Sequence, residues 1–114
     1  MKRTLATIIF FTSTITNAQS IFIEGTANCG TWLEARTAKM AGNLESFVLG
    51  NVNGLAVGRL IDIWRFKKSN VSREQLYFWM DEYCRKNALK GILEGSLSFA
   101  DEMTNGEFGK AQQK

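Results

Sequence analysis

Apolar side chains recur at helical spacing in four stretches of this chain. The cleanest is 72–84, where Leu76, Trp79, Met80, Tyr83 and Cys84 fall at i, i+3, i+4, i+7 and i+8. That spacing lays one apolar stripe along a helix. Ser72, with Gln75 three residues on, predicts a capping box at its start. A first helix is predicted over 32–40, capped by Thr31 with Glu34 completing a second box. Trp32, Leu33, Ala35, Ala38 and Ala41 give it a modest apolar side. Asn43 is the expected cap of a second helix over 44–57, with Leu44, Phe47, Val48, Val52 and Leu55 inward. Asn87 is the expected cap of a last helix over 88–103, lined by Leu89, Ile92, Leu93, Leu97, Ala100 and Met103.

The remaining stretches fit around these four. Gly50, Gly54 and Gly58 recur every four residues along the second helix and just past its end. Glycine weakens a helix, so the repeat predicts close passage of another helix, or else a break near Gly50 or Gly54. Residues 59–70 are irregular but carry Leu60, Ile61, Ile63, Trp64 and Phe66, and so predict a turn folded over the core. Residues 104–114 are polar and glycine-containing and read as a flexible tail. The expected fold class is all-α, a small four-helix domain over 19–103.

Its N-terminus reads as a leader. Lys2 and Arg3 precede an apolar, hydroxyl-bearing run at 5–15 that is too short to span a bilayer. Thr16-Asn17-Ala18 then ends on a small residue, so a signal peptide over 1–18 with cleavage after Ala18 is expected. Of the 14 basic residues, Lys2 and Arg3 belong to this leader, and the rest nearly balance the 11 acidic ones. That balance argues against nucleic acid, which needs a concentrated basic surface. The cluster of Arg65, Lys67 and Lys68 reads as a solvated loop. In an exported chain, two cysteines have one pairing, and a Cys29–Cys84 disulfide is expected. It would tie the 72–84 helix to the start of the folded chain.

Little here can do chemistry. There is no histidine, which removes Ser-His and Cys-His catalysis and the commonest zinc ligand. The cysteine spacing is neither a zinc nor a redox pattern, and no phosphate-binding loop is present. Asp81 and Glu82 point about 100° apart on a helix and read as solvated surface. Asp62 is expected to pair with Arg59 or Arg65. No catalytic, metal or cofactor site is therefore expected. The aromatics remain: Trp64 and Phe66 in the irregular segment beside Arg65, and Tyr77 and Phe78 off the core stripe. Each is either core or an anchor for a partner protein.

Three segments carry a resemblance: 28–36 (NCGTWLEAR), 46–54 (SFVLGNVNG) and 79–87 (WMDEYCRKN). They resemble small secreted bacterial helical proteins of the Rap/Tai immunity type, which guard against peptidoglycan amidases delivered by type VI secretion. The two-cysteine plan and 83–87 (YCRKN) are also similar to periplasmic acid-stress chaperones of the HdeA/HdeB type. Both families usually continue into proline where this chain has Ala88. The resemblance covers about 28–103 and implies the Cys29–Cys84 bond and packing roles for Trp32, Gly50 and Gly54. It implies no ligand-binding residue. It further implies a non-enzymatic periplasmic protein-binding module, immunity-like, whose partner would be an amidase effector, with a second copy of the chain as another candidate partner. The alternative it implies is an acid-stress chaperone. In either case no stable membrane insertion is expected once the leader is removed.

Overall fold

The computed structural model describes residues 26–112; the expected leader lies outside them. Five α-helices follow in order: α1 (Cys29–Thr37), α2 (Gly42–Arg59), α3 (Arg73–Lys86), α4 (Ile92–Met103) and a short α5 (Glu107–Gln112), with one 3-10 turn (Phe66–Lys68) between α2 and α3. The fold is all-α, with four main helices and a disulfide between Cys29 and Cys84. Their core joins Trp32 of α1, Val48 and Val52 of α2, Leu76 and Met80 of α3, and Ile92 and Phe99 of α4. Ile63, from the irregular segment, is buried with them, as a turn folded over the core requires. No helix among the described residues is long and apolar enough to cross a membrane.

Helix α3 starts as its sequence predicts. The Gln75 amide donates to Ser72 Oγ at 3.2 Å, and the Ser72 amide donates to Gln75 Oε1 at 2.7 Å. Helix α1 starts earlier than expected, because Asn28 and not Thr31 is its cap. Asn28 Oδ1 accepts from the Thr31 amide at 2.8 Å and from the Thr31 hydroxyl at 3.1 Å. Asparagine is the better cap of the two, and using it winds Cys29 into the first turn. Helix α2 also starts early, at Gly42 after Ala41, with no side-chain cap.

Helix α4 starts late, for a tertiary reason. The Cys29 amide donates to Lys90 O at 2.9 Å, and the Ile92 amide donates to Ala27 O at 3.1 Å. This bridge gives one of the unpaired amides of the first α4 turn a partner. Asn87 does not open α4 but closes α3: its backbone and side-chain nitrogens both donate to Tyr83 O. Leu89 is consequently in the intervening turn and fully exposed.

The glycine expectation is corrected too. A Cβ at Gly50, Gly54 or Gly58 would meet nothing within 4 Å, so no helix crosses there. The close crossing is at Gly95, where a Cβ would lie 2.6 Å from Met80 Cε and 3.0 Å from Tyr83 Cδ1. This glycine lets α4 lie tight on α3. The expected tail is likewise built into the fold as far as α5. Phe108 is buried, its amide donates to Thr104 Oγ1 at 3.0 Å, and the Gly109 amide donates to Asp101 Oδ1 at 2.8 Å.

Three helices end on a left-handed residue: Lys39, Leu60 and Asn105. At each, one amide reaches back three residues and the next reaches back five, as in Ile61 to Ala56 O at 3.1 Å. This is the Schellman closure, which glycine or asparagine fills most easily. Leu60 fills it at φ 54° with its side chain 93% exposed. It therefore carries backbone strain that no burial offsets. Leu60→Gly is expected to raise stability by about 1 kcal/mol, read as a higher urea midpoint at unchanged slope. A lower midpoint would show that Leu60 makes contacts of value in the folded state.

Candidate partner-binding groove

The disulfide sets α1 against α3 in antiparallel register. Three residues from Cys29 along α1 stands Trp32, and three residues back from Cys84 along α3 stands Asp81. The Trp32 indole N–H donates to Asp81 Oδ1 at 2.8 Å. One turn further, Arg36 Nε donates to the same oxygen at 3.0 Å and its Nη2 donates to Oδ2 at 2.9 Å. Arg36 Nη1 reaches the other way, to Glu45 Oε1 of α2 at 3.0 Å. One guanidinium thus joins α1 to both α2 and α3.

Asp81 is only 7% exposed, so its reading as solvated surface is corrected. A buried carboxylate needs charge and hydrogen bonds to hold it, and here three N–H groups supply them. Its hydrogen bonds to Arg36 raise the Arg36 pKa; burial acts in the opposite sense, and Glu45 adds to the rise. The fork geometry is one a lysine cannot reproduce.

Aromatic rings frame this guanidinium. Arg36 Cζ lies 5.8 Å from the centroids of Trp32 and Tyr77 and 6.0 Å from that of Phe78. Burial, followed by the Glu45 carboxylate, pushes the Tyr77 phenol above its ordinary range. Trp32 is fully buried and Tyr77 half-buried, but Phe78 is 66% exposed. Beside them a hollow of about 210 Å³ opens between α1 and α3, lined by Leu33, Arg36, Thr37, Asp81 and Arg85. It offers a fixed cation, a hydroxyl and an apolar wall. An arginine locked in place next to an exposed ring is the kind of anchor that protein interfaces use. Among the described residues, no group of three His, Cys, Asp or Glu side chains could hold a metal ion.

The five aromatic and basic residues singled out from the sequence do not converge. Tyr77 and Phe78 stand at this groove. Trp64, Arg65 and Phe66 are on the α2–α3 connection. Trp64 turns against Phe99, with ring centroids 6.1 Å apart, and its indole N–H donates to Asn53 Oδ1 at 2.8 Å. Phe66 is half-buried, with Lys67 Nζ 5.4 Å from its ring. Asp62 accepts from the Arg65 backbone amide at 3.0 Å and caps a turn in place of the expected ion pair. The residues that sequence reasoning missed are Arg36, Asp81 and Glu45. Their signal was Trp32 and Arg36 one turn apart on the Cys29 side of α1, with Asp81 three residues from Cys84.

No family model, curated protein or solved structure matches this chain.

Asp81→Ala would leave the buried Trp32 indole N–H without its acceptor and the half-buried Arg36 guanidinium with Glu45 alone. The expected loss is about 1–3 kcal/mol, the usual cost of leaving a buried donor unsatisfied. Asp81→Asn keeps an acceptor and should lose less. Urea unfolding of the two variants checks this, and a loss well under 1 kcal/mol for alanine would show that the pair contributes nothing.

Proposed function

We propose that this protein is a non-enzymatic binding module that works outside the cytoplasm and captures one partner protein at the α1–α3 groove. The observation that carries this reading is Phe78, an aromatic side chain left 66% exposed beside a guanidinium that Asp81 and Glu45 hold in place. Burying such a ring under a partner is favourable by about 1.5–3 kcal/mol. The extracytoplasmic setting is supported by the disulfide, since such bonds persist in oxidising compartments. The immunity-like version, with a cell-wall-degrading effector as partner, rests on the resemblance in 28–36, 46–54 and 79–87.

A pull-down from cell-envelope extract tests the reading. Wild-type protein should recover one stoichiometric partner, and Phe78→Ala should lose it while keeping the wild-type urea midpoint. Trp64→Ala is the wrong probe, because Trp64 packs on Phe99 and bonds Asn53. Recovery of the same partner by wild type and Phe78→Ala alike would remove the groove from the proposal.

The chaperone alternative has one observation in its favour. Two carboxylates, Glu45 and Asp81, hold Arg36 of α1 against α2 and α3. With both discharged, the reading needs the Arg36 end of α1, away from the disulfide, to loosen and uncover apolar surface. That reading expects dye-binding apolar surface and suppression of client aggregation at about pH 2–3, below the ordinary carboxylate range. A chain that stays folded and dye-silent there excludes it.

A further inference from the structure

The cations of this chain fall into two groups. Arg36, Arg73, Arg85 and Lys90 each hold a carboxylate within 4.0 Å. Among the described residues, Lys39, Arg59, Arg65, Lys67, Lys68 and Lys86 hold none and are exposed, with Arg59 Cζ 5.3 Å from the centroid of the Phe108 ring. Four of the six, Arg59, Arg65, Lys67 and Lys68, lie at the end of α2 and on the connection that follows. The connection is a closed unit. The Val71 amide donates to Trp64 O at 2.9 Å, and the Ser69 amide donates to Phe66 O at 3.1 Å. Between Glu45 and Glu74 the sequence has one acidic residue, Asp62, which is engaged with the Arg65 amide.

Aliphatic side chains project from the same end. Val57 is 75% exposed and Leu60 93% exposed. Leu60 keeps its apolar side chain in water at a left-handed backbone position that glycine would occupy without strain. Unpaired long cations around exposed aliphatic side chains are the pattern of a surface that rests on charged headgroups and dips its apolar tips into the acyl boundary.

We propose that the end of α2 and the loop after it form a docking surface for an anionic phospholipid bilayer, with Arg59, Arg65, Lys67 and Lys68 on the headgroups and Leu60 inserted. An acidic protein is the competing partner, and the local aromatics argue against it. Protein interfaces are anchored by aromatic rings, whereas here Trp64 faces Phe99 and Phe66 is half-buried. The hollows beside Asp81 and beside Trp79 lie away from this end. The surface is separate from the α1–α3 groove and does not depend on the function proposed for it.

Co-sedimentation of the exported protein with vesicles tests the proposal. Binding to phosphatidylglycerol-containing vesicles should greatly exceed binding to pure phosphatidylcholine and should fall with added salt. Replacing Arg65, Lys67 and Lys68 with glutamine should weaken binding about fivefold per cation, on the order of 100-fold together. Leu60→Gly should weaken it about tenfold while leaving the protein folded, which circular dichroism verifies. Equal binding to both vesicle types, or binding untouched by the triple glutamine variant, would overturn it. Full-strength binding by Leu60→Gly would overturn the inserted aliphatic tip and with it the proposal. Capture by a polyglutamate peptide with no vesicle binding would reassign the surface to an acidic protein.

Discussion

The rest of the structure depends on the register that one covalent bond imposes between two helices. Cys29 is the first residue of α1, and Cys84 lies in the last turn of α3, with their Cα atoms 4.8 Å apart. Beside the bond, the pairing of Ala27 and Cys29 with Ile92 and Lys90 fixes the start of α4 as well. Three helix ends therefore meet at one point. Closing a loop of 55 residues lowers the entropy of the unfolded chain by an amount worth roughly 4 kcal/mol. Small domains are commonly stable by only about 5–15 kcal/mol, so the tie is a large fraction of the whole. Counting outward from the tie then brings Trp32 to Asp81 and Arg36 to Tyr77. The groove is a consequence of that counting.

Much of this fold was legible because the signals are local. The capping box of Ser72 and Gln75 needs four consecutive residues, and the α3 stripe needs three turns; both appear as written. The disulfide was legible because two cysteines admit one pairing. Helix starts were harder, since several side chains compete to cap. Asn28 displaced Thr31, and Asn87 served the helix behind it rather than the one ahead. The late start of α4 could not be read at all, because the partner of its first amide is Ala27, far away in sequence.

Asp81 shows why the candidate site was the least legible part. Period alone places a residue at the margin of a stripe, and a carboxylate at a margin is ordinarily solvated. What buries this one comes from residues 45 and 49 positions away. The glycines of α2 failed for a related reason. A repeat of small residues states that close approach is permitted, not that a neighbour arrives. The neighbour arrived at Gly95 of α4 instead.

The two surfaces left unsatisfied sit at opposite ends of α2. Glu45 anchors the arginine of the groove in the first turn of the helix, and Leu60 closes its last. At 1.5 Å per residue those points are about 22 Å apart along the axis. One end has its charges matched, with Arg36 committed to two carboxylates and an aromatic ring left exposed. The other has its charges unmatched and its aromatics turned inward. A fold this small has little surface to spare, and stability alone would favour pairing the loop cations and placing glycine at position 60. Strain at Leu60 and unpaired charge around it make sense together if that end contributes to binding rather than to the core. The spacing leaves both ends free to be engaged at once, so a partner held at the α1–α3 groove could be presented at a charged surface by the far end of the same helix.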